Sequence, residues 1–380
     1  MKKHTLLLAA LTLLLSVSCT QKSETTRSGL DPADFNAVVD GKPVALYTLK
    51  NAAGMEVCIT NFGGRIVSLM VPDRNGELRD VVLGFDNIAD YQNVPSDFGA
   101  SIGRYANRID HGRLVIDGDT VQLPQNNFGH CLHGGPAGWQ YKVYEARQLD
   151  GKTLELYMDS PDGDENFPGH VKAKVTYNLT DDNAIVIAYE ATTDAPTVVN
   201  MTNHSYFNLD GDPAKDNSEW LLTVNADSYT PVDSTFMTTG EILPVKDTPM
   251  DFTTMKPIRT GYDESVDFEQ IKNGNGYDHN WVLNSKGDIT VKAVEMRSPK
   301  SGVVLSVYTN EPGVQFYAGN FLDGTLKGKK GITYNKNAGA CLETQHYPDT
   351  PNKPQWPSAW LEPGQTYSSH CIYRFTTYKN

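Results

Sequence analysis

The fold class is decided by residues 171–191, which read VKAKVTYNL, then TDDN, then AIVIAYEA. Apolar and polar side chains alternate in both outer runs, Val171–Leu179 and Ala184–Ala191, as they do in strands with one buried face. The polar tetrapeptide between the runs is typical of a turn. The stretch therefore predicts an antiparallel hairpin.

Similar short runs recur along most of the chain, and no stretch of a dozen residues keeps a 3.6-residue period. Thirty-two glycines and 21 prolines separate these runs. Regular short strands between turn signals predict an all-β sandwich or barrel, and no linker divides the chain. We therefore predict one domain over residues 33–380. Further predicted strands are Met55–Thr60, Arg65–Val71, Leu154–Met158, Leu221–Asn225, Trp281–Leu283, Ala293–Ser298, Val303–Thr309, Gln315–Gly319 and Ser369–Thr376.

The N-terminus has the composition of an export signal. Lys2 and Lys3 precede the apolar run Leu6–Leu15, which is too short to span a bilayer. Ser16-Val17-Ser18-Cys19 resembles a bacterial lipobox, although Ser16 stands where leucine is usual. We predict a signal peptide over residues 1–18, lipidation of Cys19 and a flexible tether over residues 19–32. An ordinary cleaved signal peptide is the alternative, and both place the protein outside the cytoplasm, in the periplasm or anchored to a membrane.

The charge and the cysteines exclude some classes of partner. The chain has 33 basic and 46 acidic side chains, a net charge of −13, and without Lys2 and Lys3 the net charge is −15. Such a balance argues against nucleic acid and against anionic membrane surfaces as partners, so we expect membrane contact only through the lipid. The remaining cysteines lack metal-type pairs, and we predict mostly buried thiols.

The densest group of polar and aromatic residues is Asn200–Leu209, NMTNHSYFNL, which contains His204. Imidazole titrates near physiological pH and suits proton transfer. The amides and hydroxyls around it suit a polyhydroxylated ligand, and the aromatic rings suit the apolar face of a sugar. A lone histidine bonded into an asparagine-rich turn is the alternative interpretation.

Two further stretches supply hydrogen-bond donors. Ser101–Ile109 contains Asn107 and Arg108, and a guanidinium is a planar donor suited to holding oxygen atoms. By itself Arg108 is more typical of a structural ion pair. His133 is followed by two glycines, which allow the backbone and a ligand to approach closely.

Two more stretches supply carboxylates. Asp278 follows a glycine-rich loop and is a candidate acceptor for sugar hydroxyls. Its neighbour His279 would point to the opposite face of a strand, and we predict no metal site. Glu343 follows the apolar run Ala338–Leu342, which would permit a desolvated carboxylate that acts as a base. In isolation Glu343 is more typical of a strand end that faces water.

Together these stretches resemble the galactose mutarotase (aldose 1-epimerase) family. The resemblance covers essentially the whole chain after the tether. It departs in the loop Phe128–Cys131, whose shape is therefore in doubt, and Tyr347 stands where phenylalanine is also familiar. The matching segments are GRYANRI (103–109), LHGG (132–135), TNHSYFNL (202–209), YDHNW (277–281), PGVQFY (312–317) and ETQHYPD (343–349).

The resemblance implies a fold, a reaction and roles for individual residues. The fold would be a large twisted β-sandwich, the galactose mutarotase-like supersandwich, with the active site in a cleft on one sheet. The reaction would interconvert the α- and β-anomers of free aldohexoses such as galactose and glucose, in hexose metabolism and without a cofactor. His204 would be the general acid and Glu343 the general base. The substrate-binding residues would be Asn107, Arg108, His133, Asp278 and Gln315.

Two other functions remain open from the sequence. An exported glycoside hydrolase would need two carboxylates flanking the scissile bond, and Asp278 with Glu343 could supply them. A non-catalytic carbohydrate-binding protein would use the same cleft without needing Glu343. The fold alone does not distinguish these functions, so they have to be distinguished by the residues of the site. The preferred aldose and the oligomeric state are not determined by the sequence.

Overall fold

The computed structural model describes residues 25–116, 118–261 and 266–379, and within them the chain is almost entirely strand and turn. The two α-helices there, α1 (Ile88–Asn93) and α2 (Glu269–Asn273), are one to two turns long. Neither approaches the length and apolarity that a bilayer-crossing helix requires. The predicted all-β class is confirmed.

Among the described residues, many strands are short, and most of the long ones lie in one large sheet. In chain order they are β1 (Ala37–Val39), β2 (Lys42–Val44), β3 (Leu46–Lys50), β4 (Glu56–Thr60), β5 (Arg65–Pro72), β6 (Leu78–Asp80), β7 (Ala100–Ile102), β8 (Arg108–Ile109), β9 (Arg113–Ile116), β10 (Asp119–Gln122), β11 (Cys131–Leu132), β12 (Glu145–Gln148), β13 (Thr153–Ser160), β14 (Val171–Leu179), β15 (Ala184–Thr193), β16 (Thr197–Val198), β17 (Thr202–His204), β18 (Leu221–Val224), β19 (Ser228–Thr230), β20 (Leu243–Pro244), β21 (Lys256–Pro257), β22 (Asp278–Val282), β23 (Lys292–Arg297), β24 (Val303–Thr309), β25 (Gly313–Tyr317), β26 (Cys341–Gln345), β27 (Trp360–Leu361) and β28 (Tyr367–Thr377). Single 3-10 turns lie at Pro32–Phe35, Asp110–Gly112, Trp139–Tyr141, Asp164–Asn166, Ile258–Gly261, Lys329–Gly331 and Thr350–Asn352.

The predicted hairpin lies in a nine-stranded antiparallel sheet of order β12-β13-β14-β15-β28-β24-β23-β18-β21. Burial alternates along β14, so Val175 and Tyr177 face the core while Thr176 is half-exposed. The last strand of the chain, β28, lies between β15 and β24, so distant parts of the sequence meet in this layer.

The second layer is assembled from smaller sheets. These are the four-stranded sheet β3-β4-β5-β6, the pair β7-β17 and the five-stranded sheet β20-β19-β22-β25-β26. One apolar cluster joins both layers, with Ile187 and Tyr373 from the large sheet and Leu69, Trp281 and Phe316 from the smaller ones. The architecture is the sandwich that the sequence predicted.

The fold begins before the predicted boundary at residue 33. Leu30 is buried beside Phe35 and Val67, and Ser28 donates a hydrogen bond to the Ser68 hydroxyl. The Arg27 backbone N–H donates to Glu56 at 2.7 Å. The prediction of a flexible tether is therefore wrong for residues 26–32, because their polar atoms and Leu30 find partners on β4 and β5. Residues 1–24, with the predicted signal peptide and Cys19, lie outside the described residues.

The four described cysteines are buried free thiols, which confirms their prediction. They are Cys58, Cys131, Cys341 and Cys371.

Candidate active site

The five-stranded sheet presents two rows of polar side chains on one face. Residues directly opposite each other in neighbouring strands point to the same side, and residues two apart along a strand do so as well. The other face carries Trp281, Phe316 and Leu342 into the core. In register across β22, β25 and β26, the first row is Asp278, Tyr317 and Cys341, and the second is Asn280, Gln315 and Glu343.

The central pair of the site is His204 with Glu343. His204 ends β17, which pairs with β7, and the Phe207–Ala340 bridge ties the segment after β17 to the segment before β26. Glu343 Oε1 lies 3.5 Å from His204 Nε2, and the residues are only 2% and 4% exposed. On the other side of the ring, His204 Nδ1 lies 3.5 Å from Cys341 Sγ. Glu343 is thus a buried mid-strand residue and not a water-facing strand end.

Burial sets the proton affinity of Glu343. The pKa of Glu343 is raised to about 7, mainly by desolvation and in part by the charges of Asp278 and Asp97, while His204 and Arg108 act in the opposite direction. Desolvation also raises the pKa of Asp278, with Arg108 acting in the opposite direction. A carboxylate with a pKa near neutrality is suited to accept and return a proton at that pH.

The pairing of β8 with β11 brings Asn107, Arg108 and His133 together. The Asn107 backbone N–H donates to His133 Nδ1 at 3.1 Å, and the His133 N–H donates to the Asn107 carbonyl. Burial, with the nearby His204 and Arg108, lowers the pKa of His133 well below its usual value. His133 is therefore neutral, and because Nδ1 accepts a hydrogen bond, Nε2 carries the proton and is a donor.

Among the described residues, Arg108 does not form the structural ion pair that its sequence context permitted. Its Nε and Nη2 donate to Asn127 Oδ1 at 3.0 and 2.9 Å, and its guanidinium lies 5.0 Å from the centre of the Phe236 ring. The guanidinium is thereby fixed at the edge of the cleft.

These side chains surround a cavity of about 370 Å³, a size that suits a small polar molecule. His204 and Glu343 are its most buried ionisable residues, and Phe128 and Phe321 are its most exposed. The lining residues are Asn107, Arg108, Asn127, Phe128, Leu132, His133, His204, Tyr206, Asp278, Tyr317, Phe321 and Glu343.

Six of the seven predicted catalytic and binding residues line this cavity, and Gln315 does not. Gln315 Nε2 instead donates to Asp278 Oδ1 at 2.7 Å, so this side chain fixes the orientation of Asp278. Whether Gln315 also contacts a substrate stays a prediction, as do the catalytic roles of His204 and Glu343.

Asp97 is a nearby residue that the sequence did not reveal. Its carboxylate lies within 4.8 Å of ring nitrogens of His133 and His204, and its Oδ1 is buried without a hydrogen-bond partner in the described part of the chain. Asp97 is in the loop between α1 and β7, with no flanking histidine or glycine motif to mark it. His204, Cys341 and Glu343 form a second group with such spacing, so either group has donors for a divalent ion.

Asp97 allows a prediction about pH. Its negative charge contributes to the raised pKa of Glu343, so Asp97→Asn is expected to lower that pKa. With Glu343 as the predicted base, which works only when ionised, activity is expected to rise with pH through about 7 in the wild type. In the variant this rise moves to lower pH. The profile of kcat/KM from pH 4 to 9 checks this, and a rise that stays in place or moves upward contradicts it.

Comparison with known proteins agrees with this geometry. A sequence profile of the aldose 1-epimerase family matches residues 45–374. The chain is 43% identical to galactose mutarotase of Mus musculus over 322 residues, covering 85% of this chain and 91% of that one. It is 40% identical to aldose 1-epimerase of Escherichia coli K12 over 339 residues, 88% of this chain and 96% of that one. The crystal structure of an aldose epimerase homologue from C. elegans superimposes with a TM-score of 0.82 at 33% identity, covering 88% of this chain and all of that one.

The chain belongs to the aldose 1-epimerase family. The predicted family, the supersandwich fold and the assignment as an isomerase are confirmed. A hydrolase or a non-catalytic binding protein is not favoured.

Proposed function

We propose that this protein interconverts the α- and β-anomers of free aldohexoses such as galactose and glucose, in hexose metabolism. The observation that carries the proposal is the buried contact of 3.5 Å between Glu343 and His204 on the floor of the cavity. Anomer exchange requires a base at the C1 hydroxyl and an acid at the ring oxygen. Both oxygens are bonded to C1, so the acid and the base must lie close together.

The reaction needs only proton transfers. The Glu343 carboxylate removes the proton from the C1 hydroxyl while His204 donates a proton to the ring oxygen, and the C1–O5 bond breaks to give the free aldehyde. After rotation about C1–C2, the O5 hydroxyl attacks the other face of the aldehyde. Its proton returns to His204, Glu343 returns a proton to O1, and both residues end as they began. General acid and general base each contribute on the order of 10²–10⁴ in rate.

The other cavity residues orient the sugar and support the charges. The neutral His133 presents its Nε2 proton as a donor, and Asp278, oriented by Gln315, accepts hydrogen bonds from hydroxyls. The Glu343 Oε2 atom is buried without a hydrogen-bond partner among the described residues, so a sugar hydroxyl can donate to it. Arg108 supplies a fixed positive charge at the cavity edge.

The same contact argues against glycoside hydrolysis. Hydrolases place two carboxyl groups about 5–9.5 Å apart on either side of the scissile bond. Here the base is in direct contact with an imidazole, an arrangement that serves two oxygens on one carbon.

Polarimetry tests the proposal. Crystalline α-D-galactose or α-D-glucose is dissolved, and the optical rotation is followed with and without the protein. Faster relaxation to the same final rotation is expected. Relaxation at the spontaneous rate with both sugars, and with a panel of other aldoses, would contradict the proposal.

The place of the reaction is also a proposal, supported by the sequence alone. We propose that the protein is exported and anchored through a lipid on Cys19, in keeping with Lys2, Lys3 and the apolar run Leu6–Leu15. Fractionation of cells that express the full chain checks this. Detergent should release the wild type from membranes, and Cys19→Ala should not be recovered as a lipidated form. A wild type retained whole in the cytosol would refute it.

A further inference from the structure

The imidazole of His204 is contacted at both nitrogens by side chains of a single strand. Cys341 and Glu343 are two residues apart in β26, so their side chains point to the same face of the sheet. Cys341 Sγ lies 3.5 Å from Nδ1, and Glu343 Oε1 lies 3.5 Å from Nε2. The proposed reaction assigns a role to Glu343, whereas it uses no atom of Cys341.

The position of this imidazole relative to β26 is fixed by backbone and ring contacts. At the start of β26, Phe207 and Ala340 exchange two hydrogen bonds, in which each N–H donates to the other carbonyl at 2.8 and 2.9 Å. The rings of His133 and Tyr206 pack against the His204 ring, with 5.0 and 5.2 Å between ring centres. The ring is therefore held in one orientation, with each nitrogen facing its own partner.

The thiol of Cys341 stays protonated and uncharged. Burial, together with the charges of Glu343, Asp278 and Asp97, raises its pKa well above the ordinary value for cysteine. A neutral thiol can donate a hydrogen bond, or it can accept one on sulfur while its own proton points elsewhere. The direction of the bond to Nδ1 therefore depends on which nitrogen of His204 keeps a proton when the ring is neutral.

The proposed reaction decides this direction. His204 gives its Nε2 proton to the ring oxygen, and the neutral imidazole that results keeps its other proton on Nδ1. Nε2 then has a free lone pair with which it takes the proton back from the O5 hydroxyl. If the thiol donated to Nδ1, the neutral ring would carry its proton on Nε2 and could not accept a proton there.

We propose that Cys341 is a positioning residue for anomer exchange, an inference that rests on the proposed function. Its sulfur accepts the Nδ1 proton of His204 throughout the cycle, so that Nε2 is the nitrogen that exchanges a proton with the sugar. A neutral sulfur suits this role, because a carboxylate in the same place would stabilise the imidazolium and make it a weaker acid.

NMR of the protein with ¹⁵N-labelled histidine tests which nitrogen is protonated. The signals of His204 are identified by their absence from His204→Asn, and spectra are recorded between pH 5 and 9. In the wild type, Nδ1 should stay protonated throughout, and only Nε2 should show the large shift of a nitrogen that loses its proton. Cys341→Ser should keep this pattern, and Cys341→Ala should populate the other neutral tautomer.

The kinetic test replaces Cys341 in two ways and uses a second cysteine as the control. Cys341→Ala removes the acceptor and should lower kcat about tenfold, with KM within about twofold, because one hydrogen bond to the acid is lost. Cys341→Ser keeps an acceptor and should remain within about threefold of the wild-type kcat. Cys58 is equally buried but lies in β4, outside the cavity, so Cys58→Ala should leave kcat unchanged.

Three outcomes would overturn the role of Cys341. They are a neutral wild-type His204 that carries its proton on Nε2, equal losses of kcat in Cys341→Ser and Cys341→Ala, and a Cys341→Ala variant with the wild-type kcat and tautomer. The wild-type spectrum requires no substitution in β26, so the role can be refuted even if Cys341→Ala does not fold. If the wild type accelerates the mutarotation of no aldose, the proposed function itself fails, whichever nitrogen is protonated.

Discussion

Glu343→Gln is expected to lower the kcat of anomer exchange by about 10²–10⁴-fold and to change KM little. The amide keeps the size of the side chain and most of its packing, but it cannot accept the proton of the C1 hydroxyl. Sugar binding depends mainly on the other cavity residues, which the substitution leaves in place. Polarimetric progress curves at several galactose concentrations give both constants.

The loss of activity can be distinguished from a loss of structure. Burial raises the pKa of Glu343 to about 7. The ionised form of Glu343 therefore destabilises the fold once the pH exceeds the ordinary pKa of a free carboxyl group. This penalty grows as the pH rises to about 7 and is absent at low pH. Glutamine removes it, so the variant should unfold at or above the wild-type temperature at pH 8.

A second buried glutamate provides the matched control. Glu311 is 2% exposed and forms an ion pair with His346 at 2.7 Å, outside the active-site cavity. Glu311→Gln should lose stability and keep its kcat. Full activity in Glu343→Gln would remove this residue from the role of base.

Two long strands, Val171–Leu179 and Val303–Thr309, have the bounds that the sequence predicted. The first alternates between buried and more exposed residues, and the second is an apolar run that is buried along almost its whole length. The strands that position the site are shorter. Arg108–Ile109 and Thr202–His204 contain two or three residues, too few for a periodic pattern, and their partners are far away in sequence.

Burial of the site residues depends equally on distant pairing. Glu343 by itself was typical of a strand end in water, but β25 beside it and β17 above it exclude solvent. Only the combined motifs, and the family they resemble, indicated its role. Asp97 had no such motif, and no local pattern expresses the contacts of the Phe236 ring with Phe128 and Phe321.

His204→Asn is expected to lower kcat by about 10²–10⁴-fold because the ring oxygen loses its proton donor. Asparagine retains a polar side chain next to Cys341 and Glu343 but does not ionise. The surface substitution His170→Asn, at a histidine paired with Asp159, is the control and should leave kcat unchanged.

The double variant Glu343→Gln/His204→Asn tests whether the two residues act as one unit. Acid and base serve the same bond-breaking step and are in direct contact. Replacing the second residue in a variant that already lacks the first should therefore lower kcat much less than the same replacement lowers it in the wild type. We expect the kcat of the double variant to lie within about tenfold of the weaker single variant. Losses that multiply would mean that the two groups contribute independently to the barrier, and this result would contradict the expected coupling.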